Sequence, residues 1–222
     1  MPTFINYKQA KVLMVLEEAD KQKVADFLKD VETSLIFFKS DAPKCEFCGV
    51  IEELLNEIKE VSDVDFKVVG LNDPLAKKHG IEKAPAIIFE KYPNVQYFGI
   101  PSGHEFTPFL AIVKMASIGK VELPEAVQAK AIALDQDVNI KIFVTPTCPY
   151  CKDPVLIGHM LAMLNPKITS IMVEAMEYKE LAAKHNVSAV PRIVINDSVI
   201  HEGNVSPDVM MQLIEKALSK KA

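Results

Sequence analysis

The chain has 222 residues, room for one large domain or two small ones at roughly 100 to 200 residues each. Its 49% hydrophobic and 25% charged residues are those of an ordinary globular protein, which excludes a disordered chain, a collagen-like repeat and a disulfide-dense miniprotein. A net charge of −5 with no basic tract argues against nucleic acid as a partner, because phosphate backbones are held mainly by clustered Lys and Arg.

No apolar run reaches the length of a membrane helix, and the stretch Val12 to Leu16 is too short for a signal peptide, so the expected setting is cytoplasmic with no membrane contact. Val24, Phe27, Leu28 and Val31 keep helical spacing and predict a leading helix. Leu35 to Phe38 is a short apolar run that fits a buried strand, and Ile51, Leu54, Leu55 and Ile58 then recur with a helical period. Phe66 to Val69 predicts a second strand, followed by a short helix ending near His79, a strand Ala86 to Phe89 and another at Val95 to Ile100. Phe106, Phe109, Leu110 and Val113 give a closing amphipathic helix. The link Gly119 to Pro124 then divides unit 1–120 from unit 121–222.

The second unit repeats this order. A looser helix spans Ala126 to Leu134, and strands are predicted at Ile140 to Val144, Ile168 to Val173, Ile193 to Ile195 and Ser198 to His201. Ile157, Met160, Leu161 and Leu164 mark one helix, and Met210, Leu213, Ile214 and Ala217 the last. The repeat is also literal: LAKKHGIEKAPAIIFE in one half matches LAAKHNVSAVPRIVIN in the other, at a period of about 105 residues. Strands alternating with helices before a final hairpin predict an α/β fold with a mixed sheet.

All four cysteines fall in two C-x-x-C pairs, Cys45-Glu46-Phe47-Cys48 and Cys148-Pro149-Tyr150-Cys151. One shared zinc site is disfavoured, because zinc knuckles lie about 15 to 20 residues apart whereas these pairs are about a hundred apart and each opens an apolar-faced helix. A purely structural role is disfavoured equally. At a helix start, unpaired N–H groups and the helix dipole favour a thiolate, the nucleophile of disulfide exchange. Cys45 and Cys148 are therefore the expected attacking thiols. Cys48 and Cys151, one turn on, resolve the mixed disulfide and leave each pair oxidised. The pairs are expected to differ. Pro149 suits a first helical position, whereas Glu46 opposes a thiolate and Lys44 only partly offsets it, so the C-terminal pair should have the more acidic nucleophile and the less reducing potential.

Strand, C-x-x-C and a proline opening a later strand resemble the thioredoxin fold, here twice, and Cys-Pro-Tyr-Cys resembles the glutaredoxin motif. The whole chain is similar to the protein disulfide oxidoreductases of hyperthermophiles, in which two thioredoxin-fold units each keep a C-x-x-C; the implied fold is two tandem units, each a mixed sheet flanked by helices. Taken alone, an X-Pro bond is cis only about 5 to 6% of the time, so the residues by themselves predict trans prolines. The resemblance implies instead that Pro85 and Pro191 are cis and that Ala84 and Val190 present backbone to an extended substrate. It also implies redox-active disulfides Cys45–Cys48 and Cys148–Cys151, no bound cofactor or metal, disulfide-containing protein substrates, and reduction by a thioredoxin reductase-like flavoprotein. Intracellular disulfides in hyperthermophiles suit such an enzyme to a cytoplasm.

Departures from the thioredoxin pattern are visible. No acid lies on the strand beneath the cysteines, where Ile142 stands in one half and the run LIFF in the other, which leaves Glu174 as the candidate for proton transfer. A basic residue before the glutaredoxin motif is missing from Val144-Thr145-Pro146-Thr147, so glutathione use is not implied. Arg192, the single arginine, follows Pro191 and could hold a substrate carboxylate near Cys151, although an exposed strand residue is the blander reading. His79 and His185 precede Gly80 and Asn186 and read as helix C-terminal cations, and His104 as a lone loop residue.

The leading expectation is a protein dithiol-disulfide oxidoreductase that reduces, forms and isomerises disulfides. An alternative is an electron relay from a flavoprotein to a peroxiredoxin. The N-terminal domain of the flavoprotein component of alkyl hydroperoxide reductase is also a tandem thioredoxin fold, but keeps one C-x-x-C. A chaperone-like peptide-binding module is the alternative of another class.

Overall fold

The computed structural model describes residues 16–40 and 45–220, so Lys44 and the start of the Val12 to Leu16 run lie outside the described residues. Helix α1 (Glu18–Phe27) precedes β1 (Glu32–Lys39). The helical spacing extends to Val31, but Asp30 takes a left-handed backbone (φ 61°), and Val31 is buried as the chain turns into β1. The first half continues through α2 (Cys48–Glu60), β2 (Asp63–Gly70), α3 (Pro74–Lys78), β3 (Ala86–Phe89) and β4 (Val95–Phe98). A single 3-10 turn (Gly103–Glu105) leads into α4 (Phe106–Ile118). The second half comprises α5 (Glu125–Ala133), β5 (Val138–Val144), α6 (Lys152–Leu164) and β6 (Ile168–Glu174). Helix α7 (Lys179–Lys184), β7 (Arg192–Ile195), β8 (Val199–Glu202) and α8 (Pro207–Ser219) complete it. After its leading helix each half runs β-α-β-α-β-β-α, so the chain is two tandem thioredoxin-fold units.

The halves do not keep separate sheets. Eight strands form one mixed sheet in the order β2-β1-β3-β4-β6-β5-β7-β8, joined where β4 and β6 pair in parallel, from Val95 with Ser170 to Phe98 with Val173. Composition explains which strand fuses. β6 reads ITSIMVE and is buried nearly throughout, while β2, its counterpart in the repeat, reads DVDFKVVG and exposes its charges and Val68. A charged strand can remain an edge, whereas an apolar one must be covered.

Alternation along β1 sends Leu35 and Phe37 to one side of the sheet and Ile36 and Phe38 to the other. The first side carries α1, α2, α4, α5, α6 and α8 over a core shared by both halves; α3 and α7 cover two small clusters on the second. Each fully buried side chain of this core, such as Phe37, Phe109 or Leu161, contributes roughly 1.5 to 3 kcal/mol. Helices α3 and α7 end at His79 and His185, each followed by a left-handed residue, Gly80 (φ 68°) or Asn186 (φ 51°). Burial lowers both histidine pKa values, with Lys78 adding to the effect at His79 and Lys141 at His185, so these C-caps are neutral near pH 7 rather than cationic.

Candidate active site

Strands β1 and β5 run the same way in the fused sheet, so they end on one rim, and both cysteine pairs follow there. Cys45 and Cys48 form a disulfide with Cα atoms 5.4 Å apart, and Cys148 and Cys151 another at 5.6 Å. The helices begin later than expected, at Cys48 in α2 and at Lys152 in α6. In the second half the chain first makes a turn, closed by the Cys148 N–H donating to the Thr145 carbonyl (3.1 Å), so Pro149 lies ahead of the helix and not at its first position. Phe47 and Cys151 already have right-handed helical backbone, which keeps both helix axes pointed at the sulfurs. Cys148 retains 7% exposure while Cys151 has none, and Cys45 retains 6% against 3% for Cys48. In each pair the first cysteine keeps the larger exposure.

Both Ala84–Pro85 and Val190–Pro191 are cis. Each proline opens a strand paired to the one that leads into the cysteines: β3 beside β1 and β7 beside β5. Each is anchored alike, the Gly99 N–H donating to the Pro85 carbonyl (3.0 Å) and the Gly203 N–H to that of Pro191 (2.9 Å). Ala84 packs in the same core cluster as the cysteines, and half-buried Val190 packs against that cluster.

Arg192 corrects both readings made of it. It is buried, and its guanidinium is ion-paired with Glu202, its register partner on β8. It shares a face of β7 with Val194, which packs in the cluster under α7, whereas Ile193 and Ile195 pack with Cys151 on the α6 side. The guanidinium therefore points away from the Cys148–Cys151 helix. Glu174 is buried at the end of β6, with Oε2 accepting from the Glu177 N–H (2.5 Å) and Oε1 without a hydrogen-bond partner; burial raises its pKa. As expected, no acid underlies the pairs on the strands: Ile142 and Phe37 are fully buried core residues.

Sequence reasoning missed Glu105. It closes the 3-10 turn at the start of α4 with only 1% exposure, and neither carboxylate oxygen has a hydrogen-bond partner. Burial, with Asp153 in the first turn of α6 adding to it, pushes its pKa up to about 8. A first-half carboxyl thus stands beside the helix that Cys151 leads. Fully buried His159 was missed as well. Its Nδ1 lies 2.9 Å from Ser170 Oγ, and burial lowers its pKa to about 3, so it is a neutral core residue. Among the described residues, no group of three or more His, Cys, Asp or Glu is placed to hold a metal ion, and no helix is long and apolar enough to cross a membrane.

Residues 138–215 match the thioredoxin domain family. A protein disulfide oxidoreductase from Aeropyrum pernix K1 has a TM-score of 0.86 at 25% identity, over 94% of this chain and 96% of that one. A component of the alkyl hydroperoxide reductase of Pseudomonas putida is 26% identical over 170 residues, 74% of this chain and 31% of the relative. A Bacillus subtilis protein named NADH dehydrogenase is 22% identical over 199 residues, 87% of this chain and 36% of the relative. The chain spans about a third of the length of these two curated relatives.

Proposed function

We propose that this chain is a protein dithiol-disulfide oxidoreductase built as units 1–120 and 121–222, each with one redox centre. The carrying observation is the arrangement on a single rim: two C-x-x-C disulfides, each beside a cis-proline that opens the neighbouring strand. In the reduced enzyme the Cys45 or Cys148 thiolate attacks one sulfur of a substrate disulfide, forming a mixed disulfide and releasing a substrate thiolate. The Cys48 or Cys151 thiol then loses its proton and attacks the enzyme sulfur; the second substrate sulfur departs with the electron pair. Two enzyme thiols are oxidised and one substrate disulfide is reduced, and the reverse sequence forms disulfides. Ala84 and Val190, ahead of the cis-prolines, are the backbone positions that pair with an extended substrate. Glu105, electrostatically coupled to Asp153 in the first turn of the helix after Cys151, is the proposed acceptor of the Cys151 proton, since a carboxyl with pKa near 8 matches a thiol of ordinary pKa about 8.5.

Likeness to an alkyl hydroperoxide reductase component supports a second reading, transfer of electrons from a thioredoxin reductase-like flavoprotein through the two centres to a peroxiredoxin. The cytoplasm of an organism that keeps intracellular disulfides is the proposed setting. Redox titration with mass-counted thiols should give two separate two-thiol transitions within roughly −270 to −120 mV. Insulin reduction should persist in Cys45→Ser and in Cys148→Ser and vanish in the double variant. Peptide binding without turnover in the unsubstituted chain would support the chaperone reading instead, and turnover only in the presence of both a flavoprotein and a peroxidase would support the relay.

A further inference from the structure

Glu177 belongs to the second half, in the loop between β6 and α7, yet its surroundings belong to the first. Its Oε1 accepts from the Ile100 N–H (2.7 Å), and its carbonyl oxygen lies 3.4 Å from Lys83 Nζ. The hydroxyl of its neighbour Tyr178 is 2.9 Å from the carbonyl oxygens of both Lys83 and Pro85, flanking the cis peptide of the first half. Among the charges acting on Glu177 are Glu46, between Cys45 and Cys48, and Lys83, two residues before Pro85. These contacts place the carboxyl beside the first-half cis-proline and within electrostatic reach of Glu46, inside the Cys45–Cys48 motif.

Its Oε2 is buried without a hydrogen-bond partner, as is Oε1 of adjacent Glu174. Burial disfavours the charged form of a half-satisfied carboxylate, so such a group holds a proton readily. Burial, reinforced by Glu174 and Glu46 and opposed by the Ile100 N–H and Lys83, pushes the pKa of Glu177 up to about 8. Among the described residues, the other charged or titratable groups around it are Tyr178, whose phenol it affects, and Lys179, which acts on Glu174. Among the described first-half residues, β1 has no acid beneath the cysteines, and Glu46 is exposed.

We propose that Glu177, supplied by the second half, is the proton-handling side chain of the Cys45–Cys48 pair. This rests on the reading of that pair as an exchange centre. As Cys48 attacks the mixed disulfide on Cys45, its S–H proton passes to the Glu177 carboxylate, the Cys45–substrate S–S bond breaks as the Cys45–Cys48 bond forms, and the departing substrate thiolate takes the proton from Glu177.

The test uses full-length Cys148→Ser/Cys151→Ser, in which only the first pair reports, with a small aromatic disulfide as probe and thiol release followed from pH 5 to 10. The resolving step should show an inflection near pH 8, and Glu177→Gln should abolish it and slow the step about a hundredfold near neutral pH. Glu177→Asp should keep an inflection at a shifted position, which carries the test should the Gln variant not fold. In the complementary Cys45→Ser/Cys48→Ser protein, Glu177→Gln should leave the second pair's profile within twofold. An inflection unchanged by both substitutions, or equal slowing of both pairs, would overturn the proposal. Failure of either single-centre protein to turn over insulin, with the profile intact, would instead count against the oxidoreductase reading.

Discussion

The backbone N–H of His104 donates to the carbonyl oxygen of Pro146 at 2.9 Å, tying a first-half turn to the loop two residues before Cys148. Gly103, beside it, has φ 61°, and a Cβ there would collide with the same carbonyl oxygen. Gly103→Ala should therefore destabilise the protein by about 1 to 3 kcal/mol and slow exchange at Cys148–Cys151 more than at Cys45–Cys48. Urea unfolding and the rates of the two single-centre proteins measure this; equal rates in variant and parent would show that the contact does not shape the second centre.

Glu105 and Glu177 give stability a pH dependence of definite sign. Both carboxyls have folded pKa values near 8, above the ordinary 4.5, so the unfolded chain releases their protons first as pH rises. Their contribution is complete below about pH 4.5, declines towards pH 8 and is gone above it. Unfolding free energy should fall across that window, and Glu105→Gln should remove part of the slope, on the order of a few kcal/mol. Urea midpoints from pH 5 to 9 measure it, and a parallel decline in both proteins would count against a protonated Glu105.

The two nucleophiles should be separable by acidity. Glu46 lies inside the first motif, whereas Pro149 and Tyr150 place no carboxyl between the second pair of sulfurs. Reduced Cys148 should react with iodoacetamide at lower pH than Cys45, with its profile centred below the usual thiol value of about 8.5. A more acidic Cys45 would reverse the assignment of the stronger reductant.

Tyr178→Phe removes the hydroxyl shared between the Lys83 and Pro85 carbonyls. The cost should be about 0.5 to 1.5 kcal/mol, and the kinetic effect should fall on the first pair although the substitution is in the second half. Insulin reduction by each single-centre protein reads this directly. Slower exchange at Cys148–Cys151 alone would contradict it.

The repeat exposed most of the architecture because local signals recur at matching positions: apolar strands, helical spacing, C-x-x-C and the later proline. It did not expose how the halves meet. Pairing of β4 with β6 is a long-range choice, and Val95 to Phe98 does not announce a partner. Glu105 and Glu177 owe their surroundings to that junction, so neither stands out in its own segment, whereas the cysteines announce their chemistry by spacing. The run Arg-Ile-Val-Ile has no polar alternation beyond Arg192 itself, which left the face of β7 ambiguous until the sheet was complete.

The β4–β6 junction makes the duplication hard to undo. Severing the chain in the Gly119 to Pro124 link would strip partners from both strands and leave ITSIMVE, an almost uncharged apolar strand, as an open border suited to sticking to its own copies. A gene carrying this fusion therefore works against fission. The joined border of β4 and β6 carries almost no charge, and a split version would need charges on β6 before two separate proteins could stay in solution.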